Sequence, residues 1–422
     1  MLNQINQIMQ TIPTAAEKKL QLRTGQLFTG RVTHWYPNQL AQMKLGTITL
    51  TARLEAQLEK GKDYWFRVVG MEGVPKLKVL EDIPLHNNKG FETIKPLLTK
   101  LGLSPSNTGG PYEQLVQRLI QDNIPFTKQN IVDGGALLHA SFAKSIEDSY
   151  QILLQMLKHN LPLTKEVFLS LSGLHNDSTL AQSVYALQKG LAQSDDESHI
   201  QLKEILQQLV QIGLGKGSTH NLPFKGSLIS DLFIQMGLQH ERDIVEKAFQ
   251  PNLKSLLLQY LQNSSPQHGW LQNHAAFILN RLTALQLLSN EEGPILHTIF
   301  QIPIMLGGEY RDWTIQWVGK RKKNGEIDEE HCRIIFFLDL EFLQETVIDV
   351  QIQTKIVSLI IYNEQQKPLE LQAYWHMLLK RNLAVHDYTL SSIQWKNPEE
   401  KSTLKKVTTT HDYSTQGVDI RI

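Results

Sequence analysis

The spacing of apolar residues changes period several times along the chain. Ile5, Ile8, Met9 and Ile12 recur at helical spacing until Pro13, which predicts a short amphipathic helix within residues 1–20. Across residues 21–82 the period is two. Leu27-Phe28-Thr29-Gly30-Arg31-Val32 runs to a turn at Pro37-Asn38, and Met43, Leu45, Ile48 and Leu50 flank Gly46. Trp65-Phe66-Arg67-Val68-Val69 and Leu77-Lys78-Val79-Leu80 follow, parted by Gly70, Gly73 and Pro75. Short strands with this punctuation predict a small antiparallel barrel, OB-like, with Ala52–Glu59 as a short helix between strands.

A turn-rich stretch, IPLHNNKG, separates this region from a helical one. Helical stripes fill residues 91–215 and resume over 220–292: Leu180, Val184, Leu187, Leu191; Leu202, Ile205, Leu206, Leu209; Leu228, Leu232, Met236; Leu253, Leu256, Leu257, Tyr260; Ala275, Ile278, Leu282, Leu285. Each stripe has to be covered, because a lone helix of this length is marginal in water.

Within the helical region NIPFTKQN at residues 123–130 returns as NLPLTKEV at 160–167. Each part of the motif has a local task. Asn tolerates the left-handed conformation that ends a helix. The residue before proline is pushed out of the helical region. Thr127 and Thr164 are placed to cap the next helix, with Phe126 and Leu163 as hydrophobic staples before them. A period of about 37 residues fits stacked helical hairpins; a compact bundle satisfies it equally.

After Pro294 the period is two again. Trp313, Ile315 and Trp317 alternate. The basic turn KRKKNGEIDEE leads to Ile334, Phe336, Leu338 and Leu340, then Ile348, Val350 and Ile352 alternate. Ile356–Ile361 reads as a buried strand, Pro368 opens a helix bearing Leu371, Trp375, Leu378 and Leu379, and Val385–Trp395 reads as a last strand. Residues 298–396 are thus expected to form an α+β domain, with 397–422 as a polar, flexible tail ending in VDIRI. The fold class expected is multidomain: β-barrel, all-α middle, α+β end.

Composition narrows the function. The 422 residues exceed one ordinary core. Lys plus Arg and Asp plus Glu number 42 each, so net charge gives no general argument for nucleic acid. The single cysteine, Cys332, excludes an internal disulfide and a cysteine-based metal cluster. No apolar run reaches transmembrane length, and MLNQINQIMQTIP is not a secretory signal, so a cytoplasmic protein is expected.

Candidate chemistry is thin. GLGKGST at 213–219 has Gly217 after Lys216 and no strand pattern before it, so it reads as a linker and not a phosphate loop. HER at 240–242 has no second His four residues on, and no other histidine has ligand spacing with an acidic partner. Ser170 and Ser172 lack the strand-turn-helix elbow of a hydrolase. KRKK at 320–323 reads as a solvated hairpin tip beside Asn324-Gly325. His34-Trp35-Tyr36 and Tyr64-Trp65-Phe66 read first as barrel core and second as base-stacking platforms. No catalytic residue, metal ligand or cofactor is expected.

One resemblance enters at the C-terminal end. LDLEFLQETVIDVQIQTKIVSLIIY followed by ELQAYWHMLLKRNLAV resembles the C-terminal domain of flagellar hook-length control (FliK-like) proteins. Leu340, Leu343, Val347 and Val350 match its apolar positions, while Glu341 stands at the family's usual proline and Gln344 at its turn glycine. The two NxPxTK joints and GQLFTGRV…DYWFRV resemble the helical middle and β-rich start of long Gram-positive members. The resemblance implies a non-enzymatic protein, exported by the flagellar type III apparatus, whose C-terminal domain contacts an FlhB-type export component. Leu340, Leu343, Gln344, Val347, Val418 and Ile420 are the partner-binding candidates it suggests. The linker-rich ruler segment of hook-length proteins has no counterpart here. The alternative is a nucleic-acid-binding protein that uses the N-terminal barrel, where Lys and Arg are locally in excess over residues 18–78.

Overall fold

The computed structural model describes residues 22–398 except 47, 72, 81–90, 104–109, 141–142, 144, 177, 194–198, 211–212, 215–227, 239, 246, 248–249, 264–268, 290–294, 323–326 and 369–373. Residues 1–21 and 399–422 lie outside it, and with them the expected first helix and the tail bearing Val418 and Ile420. The described residues divide into two compact units, 22–176 and 178–398. That division differs from the expected boundaries. The helical stretch 91–215 is split between the two units, and the second helical region and the C-terminal strands share one.

In the N-terminal unit five strands close a barrel: β1 (Leu27–Trp35), β2 (Leu40–Leu45), β3 (Ile48–Leu54), β4 (Asp63–Gly70) and β5 (Lys76–Val79). Their order is β1-β2-β3-β5-β4, with β4 returning to β1 and with β3 parallel to β5. Alternation drives it: Phe28, Val32, Met43, Ala52, Leu54, Phe66, Val68 and Leu77 fill the interior. The expected helix at Ala52–Glu59 is not formed. Ala52 and Leu54 both point into the barrel at period two, so β3 runs on to Leu54, and an irregular segment follows. At the β1–β2 turn Asn38 and Gln39 both have positive φ, 61° and 59°, as a tight hairpin requires.

Five helices follow: α1 (Phe91–Lys100), α2 (Pro111–Gln121), α3 (Lys128–His139), α4 (Ile146–Lys158) and α5 (Lys165–Ser172), each packed on its neighbour in sequence. The repeated joint behaves as its residues dictate. Asn123 and Asn160 have φ of 54° and 53°. After α2 the amides of Asn123 and Ile124 donate to the carbonyls of Ile120 and Leu119, and after α4 those of Asn160 and Leu161 donate to Leu157 and Met156. This is the Schellman pattern of helix termination. Thr127 and Thr164 then cap α3 and α5, Thr127 in a full capping box with Asn130. Lys158 and Asp122, one at each joint, pair at 2.8 Å.

The two copies diverge at the residue before the cap. Phe126 exchanges backbone hydrogen bonds with Leu27 of β1 and meets Trp65 edge-on, its ring buried against the barrel wall. Leu163 is only half-buried. The motif ends and restarts helices twice, but only the first copy fastens them to the barrel.

The C-terminal unit contains α6 (Leu180–Ala192), α7 (Ile200–Val210), β6 (Gly213–Leu214), α8 (Leu228–Met236), α9 (His240–Val245), α10 (Leu253–Asn263) and α11 (Gly269–Leu288). Strands β7 (Ile295–Leu306), β8 (Glu309–Arg321), β9 (Ile327–Leu340), β10 (Gln344–Gln353) and β11 (Ile356–Tyr362) form an antiparallel meander. Helix α12 (Tyr374–Val385) then crosses over to β12 (Thr389–Lys396), which pairs parallel to β11. Among the described residues the order is β12-β11-β10-β9-β8-β7-β6.

Helices and sheet share one apolar cluster: Leu180, Val184, Leu206, Leu257, Ile278 and Leu282 meet Phe300, Ile302, Ile304 and Ile315. A polar anchor sets their register. The Asp312 carboxylate of β8 accepts the backbone N–H groups of Leu180 and Ala181, both at 2.8 Å, at the start of α6. Arg281 of α11 lies 3.4 Å from the same carboxylate, donates to Gln301 Oε1 at 2.7 Å, and reaches the Ser178 carbonyl. Gln301 in turn donates to Thr314, its cross-strand partner.

Three expectations for the sheet change. The strand from Ile356 is mostly half-buried and not fully buried. Val385 ends α12 instead of starting the last strand, which begins at Thr389, because Asp387 at φ 62° stops the helix by the same Schellman bonding. Trp375, expected on the covered face of that helix, is 53% exposed.

Two stability outcomes follow from these joints and this anchor. Asn160→Ala is expected to cost about 1 kcal/mol in urea unfolding, and Asn160→Gly to be within a few tenths, because only the former strains the left-handed cap. Arg281→Met is expected to cost about 3–5 kcal/mol, since it leaves the Asp312 charge buried without its guanidinium; a loss below about 1 kcal/mol would show that the α6 amides suffice.

Candidate functional site

Where they are described, the side chains of the candidate motifs are engaged within the fold. Ser170 and Ser172 hydroxyls donate to the Glu166 and Leu169 carbonyls of their own helix. His240 is buried against Asn252, and Glu241 pairs with Lys254, which also meets Gln286. Trp65 and Phe66 are core, whereas Trp35 and Tyr36 are at the barrel rim and exposed. Gly213 and Leu214 form the short strand beside β7, and residues 215–219 and 323–326 lie outside the described residues. Burial pushes the Cys332 thiol up, the opposite of what an activated nucleophile needs. Among the described residues no group of His, Cys, Asp or Glu is arranged to hold a metal ion, and no helix is long and apolar enough to cross a membrane.

What the C-terminal unit offers instead is a set of exposed apolar side chains, Phe342, Ile356, Trp375, Met377 and Val385. The shared cluster reaches β7, β8 and β9 and includes no residue of β10, β11 or β12. On β10 and β11 Ile348, Val350, Ile352, Leu359 and Ile361 are half-buried, while Val347, Val357 and Tyr362 are buried. Helix α12 covers this end weakly: from Trp375 to Val385 none of its residues is buried.

At the edge of this region sits the β9–β10 hairpin, which gathers four of the residues singled out from sequence. Leu340 ends β9, half-buried against the apolar cluster, and pairs with Gln344, which is exposed. Leu343 is half-buried in the turn, and Val347 is buried opposite Phe337 and Tyr362. Val418 and Ile420 lie outside the described residues.

The hairpin also presents a residue that the apolar pattern did not single out: Phe342, 82% exposed at its tip. The turn that carries it is braced from β11. Asn363, itself buried, donates through Nδ2 to the Leu343 carbonyl at 2.8 Å, the Glu345 carbonyl at 3.2 Å and Thr346 Oγ1 at 2.8 Å. Gln365 donates to the Phe342 carbonyl, and the Trp395 indole of β12 donates to the Gln365 carbonyl. On the other side Arg311 pairs with Asp339 and donates to the Leu340 carbonyl. A large apolar side chain is thus held out in water by a hydrogen-bonded turn. Trp375 and Met377 of α12 are exposed as well. In sequence the only trace of Phe342 was an aromatic between Glu341 and Leu343 where the alternation breaks.

Comparison with known proteins adds a distant likeness. No protein-family model matches the chain, and no solved structure matches it. Over 158 residues, 36% of this chain, it is 27% identical to the Bacillus subtilis "Uncharacterized protein YlqG". The match spans 26% of that relative's length.

Gln344 has φ 54°, in the left-handed region where a side chain costs about 1 kcal/mol relative to glycine. Gln344→Gly is therefore expected to leave the melting temperature unchanged or raise it, with a gain of up to about 1 kcal/mol. Gln344→Val is expected to lower it, because a β-branched residue resists that conformation.

Proposed function

We propose that this chain is a non-enzymatic interaction protein whose C-terminal unit docks on a protein partner, and that the partner is the cytoplasmic part of an FlhB-type component of a flagellar type III export apparatus. The observation that carries the docking reading is the hydrogen-bonded hairpin that holds Phe342 out in water, in a unit where Trp375 and Met377 are exposed as well. Burying one such aromatic is worth about 1.5–3 kcal/mol, which the isolated unit forgoes. Rigid aromatic anchors of this kind dominate protein interfaces.

The hook-length resemblance gains support from the backbone at one position. Gln344 stands where the FliK-like pattern has its turn glycine, and its φ is the one that glycine favours. The strand order of the N-terminal barrel, with β3 parallel to β5, supports reading that domain as OB-like. On this reading the protein works in the cytoplasm at the export gate, and the amphipathic N-terminal segment would serve its own export. The half-exposed strands β10–β12 would complete the partner surface, with β12 as a sheet edge able to accept a further strand.

Calorimetric titration of the full chain with an FlhB-type cytoplasmic domain tests this reading. Binding is expected in the micromolar range, and Phe342→Ser and Trp375→Ser are each expected to weaken it about tenfold or more without lowering the melting temperature. No association at high micromolar concentration would remove the named partner; association that ignores both substitutions would remove the surface.

A further inference from the structure

The N-terminal barrel carries a charge pattern that its own stability does not explain. Its five strands hold six basic residues, Arg31, Lys44, Arg53, Arg67, Lys76 and Lys78, against one acidic residue, Asp63. Asp63 is already taken, gripped by Arg31 through two hydrogen bonds of 3.1 and 2.7 Å. The whole chain has a formal net charge of +0, so this excess is local.

The register gathers the cations. Ala52, Leu54, Phe66, Val68, Leu77 and Val79 fill the barrel, which turns Arg53, Arg67, Lys76 and Lys78 to its outer surface. Arg53 lies directly opposite Lys76, and Arg67 directly opposite Lys78, on three adjacent strands. Among the described residues Arg53, Arg67 and Lys78 form no ion pair. Like charges facing each other across strands oppose folding. A surface that accepts that cost is suited to a ligand bearing several negative charges.

Aromatic and apolar side chains border the same face. The amide of Leu54 donates to the Gln39 carbonyl at 3.0 Å, and that of Arg53 to the Pro75 carbonyl at 2.8 Å. These bonds bring the β1–β2 and β4–β5 turns to the Arg53 end of β3. The first turn carries Tyr36, 47% exposed, beside Trp35, whose indole N–H is fixed on the Leu58 carbonyl at 3.2 Å. The second carries the exposed Met71 and Val74. An acidic peptide would use the cations and have no need of the rings. A single nucleic-acid strand uses both, phosphates on the cations and bases on the ring faces.

We infer that this outer face of the barrel binds single-stranded nucleic acid, with backbone phosphates on Arg53, Arg67 and Lys78 and a base stacked on Tyr36. The inference is independent of the docking role given to the C-terminal unit.

Fluorescence polarisation of the full chain with labelled oligo(dT) and oligo(U), each about 20 nucleotides long, tests it, since one small barrel covers about 4–16. Affinity is expected to fall with salt with a log–log slope of about −2, from about 0.7 per phosphate contacted. The pair Arg53→Gln with Lys78→Gln should weaken binding and flatten that slope by about 1.4. Tyr36→Ala should weaken it at least about fivefold while leaving the slope unchanged, as loss of stacking predicts. Lys380→Gln with Arg381→Gln, on α12, should change neither. Preference between the two oligonucleotides tells DNA from RNA. No binding at about 50 mM salt, or binding insensitive to the Arg53 and Lys78 changes in chains of unaltered melting temperature, overturns the inference. So does displacement by polyglutamate at equal charge together with indifference to Tyr36→Ala, which marks a site for acidic protein.

Discussion

A carboxylate with almost no access to water organises the C-terminal unit. Removing Asp312 from solvent is expensive unless its charge is met on every side. It is met by two amides at the start of α6, where the helix dipole favours a negative group, and by Arg281 from α11. Those partners come from two helices, while Asp312 and the Gln301–Thr314 pair come from β7 and β8. Satisfying one charge therefore seats two helices on one end of the sheet, and the apolar cluster forms around that arrangement. Breaking any one of these contacts leaves a buried polar group behind, so the arrangement stands or falls together.

The same seating explains where the unit is left open. Helices fastened at β7 and β8 extend their apolar contacts as far as β9, and among the described residues α12, which packs on β12, is exposed or half-buried from Trp375 to Val385. The hairpin bearing Phe342 stands at that transition. Its turn spends buried amide hydrogen bonds from Asn363 on holding shape and leaves its largest side chain in water. In the N-terminal unit the corresponding economy is different. The barrel is filled, Phe126 and Trp65 pack on one side of it, and the outer faces of β3, β5 and β4 are left with facing cations. The two units thus present surfaces of different character, one with exposed apolar side chains and one with facing cations.

Much of the local structure was legible from residue type. The two NxPxTK joints end helices at left-handed asparagines and restart them at threonine caps, as short-range hydrogen bonding and steric limits require. The Pro37-Asn38 turn, the Gly46 hairpin and the strands around Trp317, Phe336 and Val350 follow from periodicity alone. Of the docking candidates, Leu340, Leu343, Gln344 and Val347 come together in one hairpin because they are neighbours in sequence. Phe342, Asn363 and the opposed cations of the barrel were not legible, since each takes its meaning from a strand elsewhere in the chain.

What the sequence determined by itself is period, punctuation and capping, quantities set by residues within a few positions of one another. Tertiary structure decided the rest. Ala52 and Leu54 became strand because the barrel interior had room for them, against a helix-compatible local pattern. Phe126 became a barrel fastener and Leu163 did not, from the same motif, because only the first lies beside Leu27. Asp312 and Arg281 look in sequence like ordinary surface charges. Their role exists only once a contact across 132 residues brings the Leu180 amide to the carboxylate. Local steric and hydrogen-bonding preferences act through short stretches of chain and can be read there, whereas burial is a property of the assembled molecule.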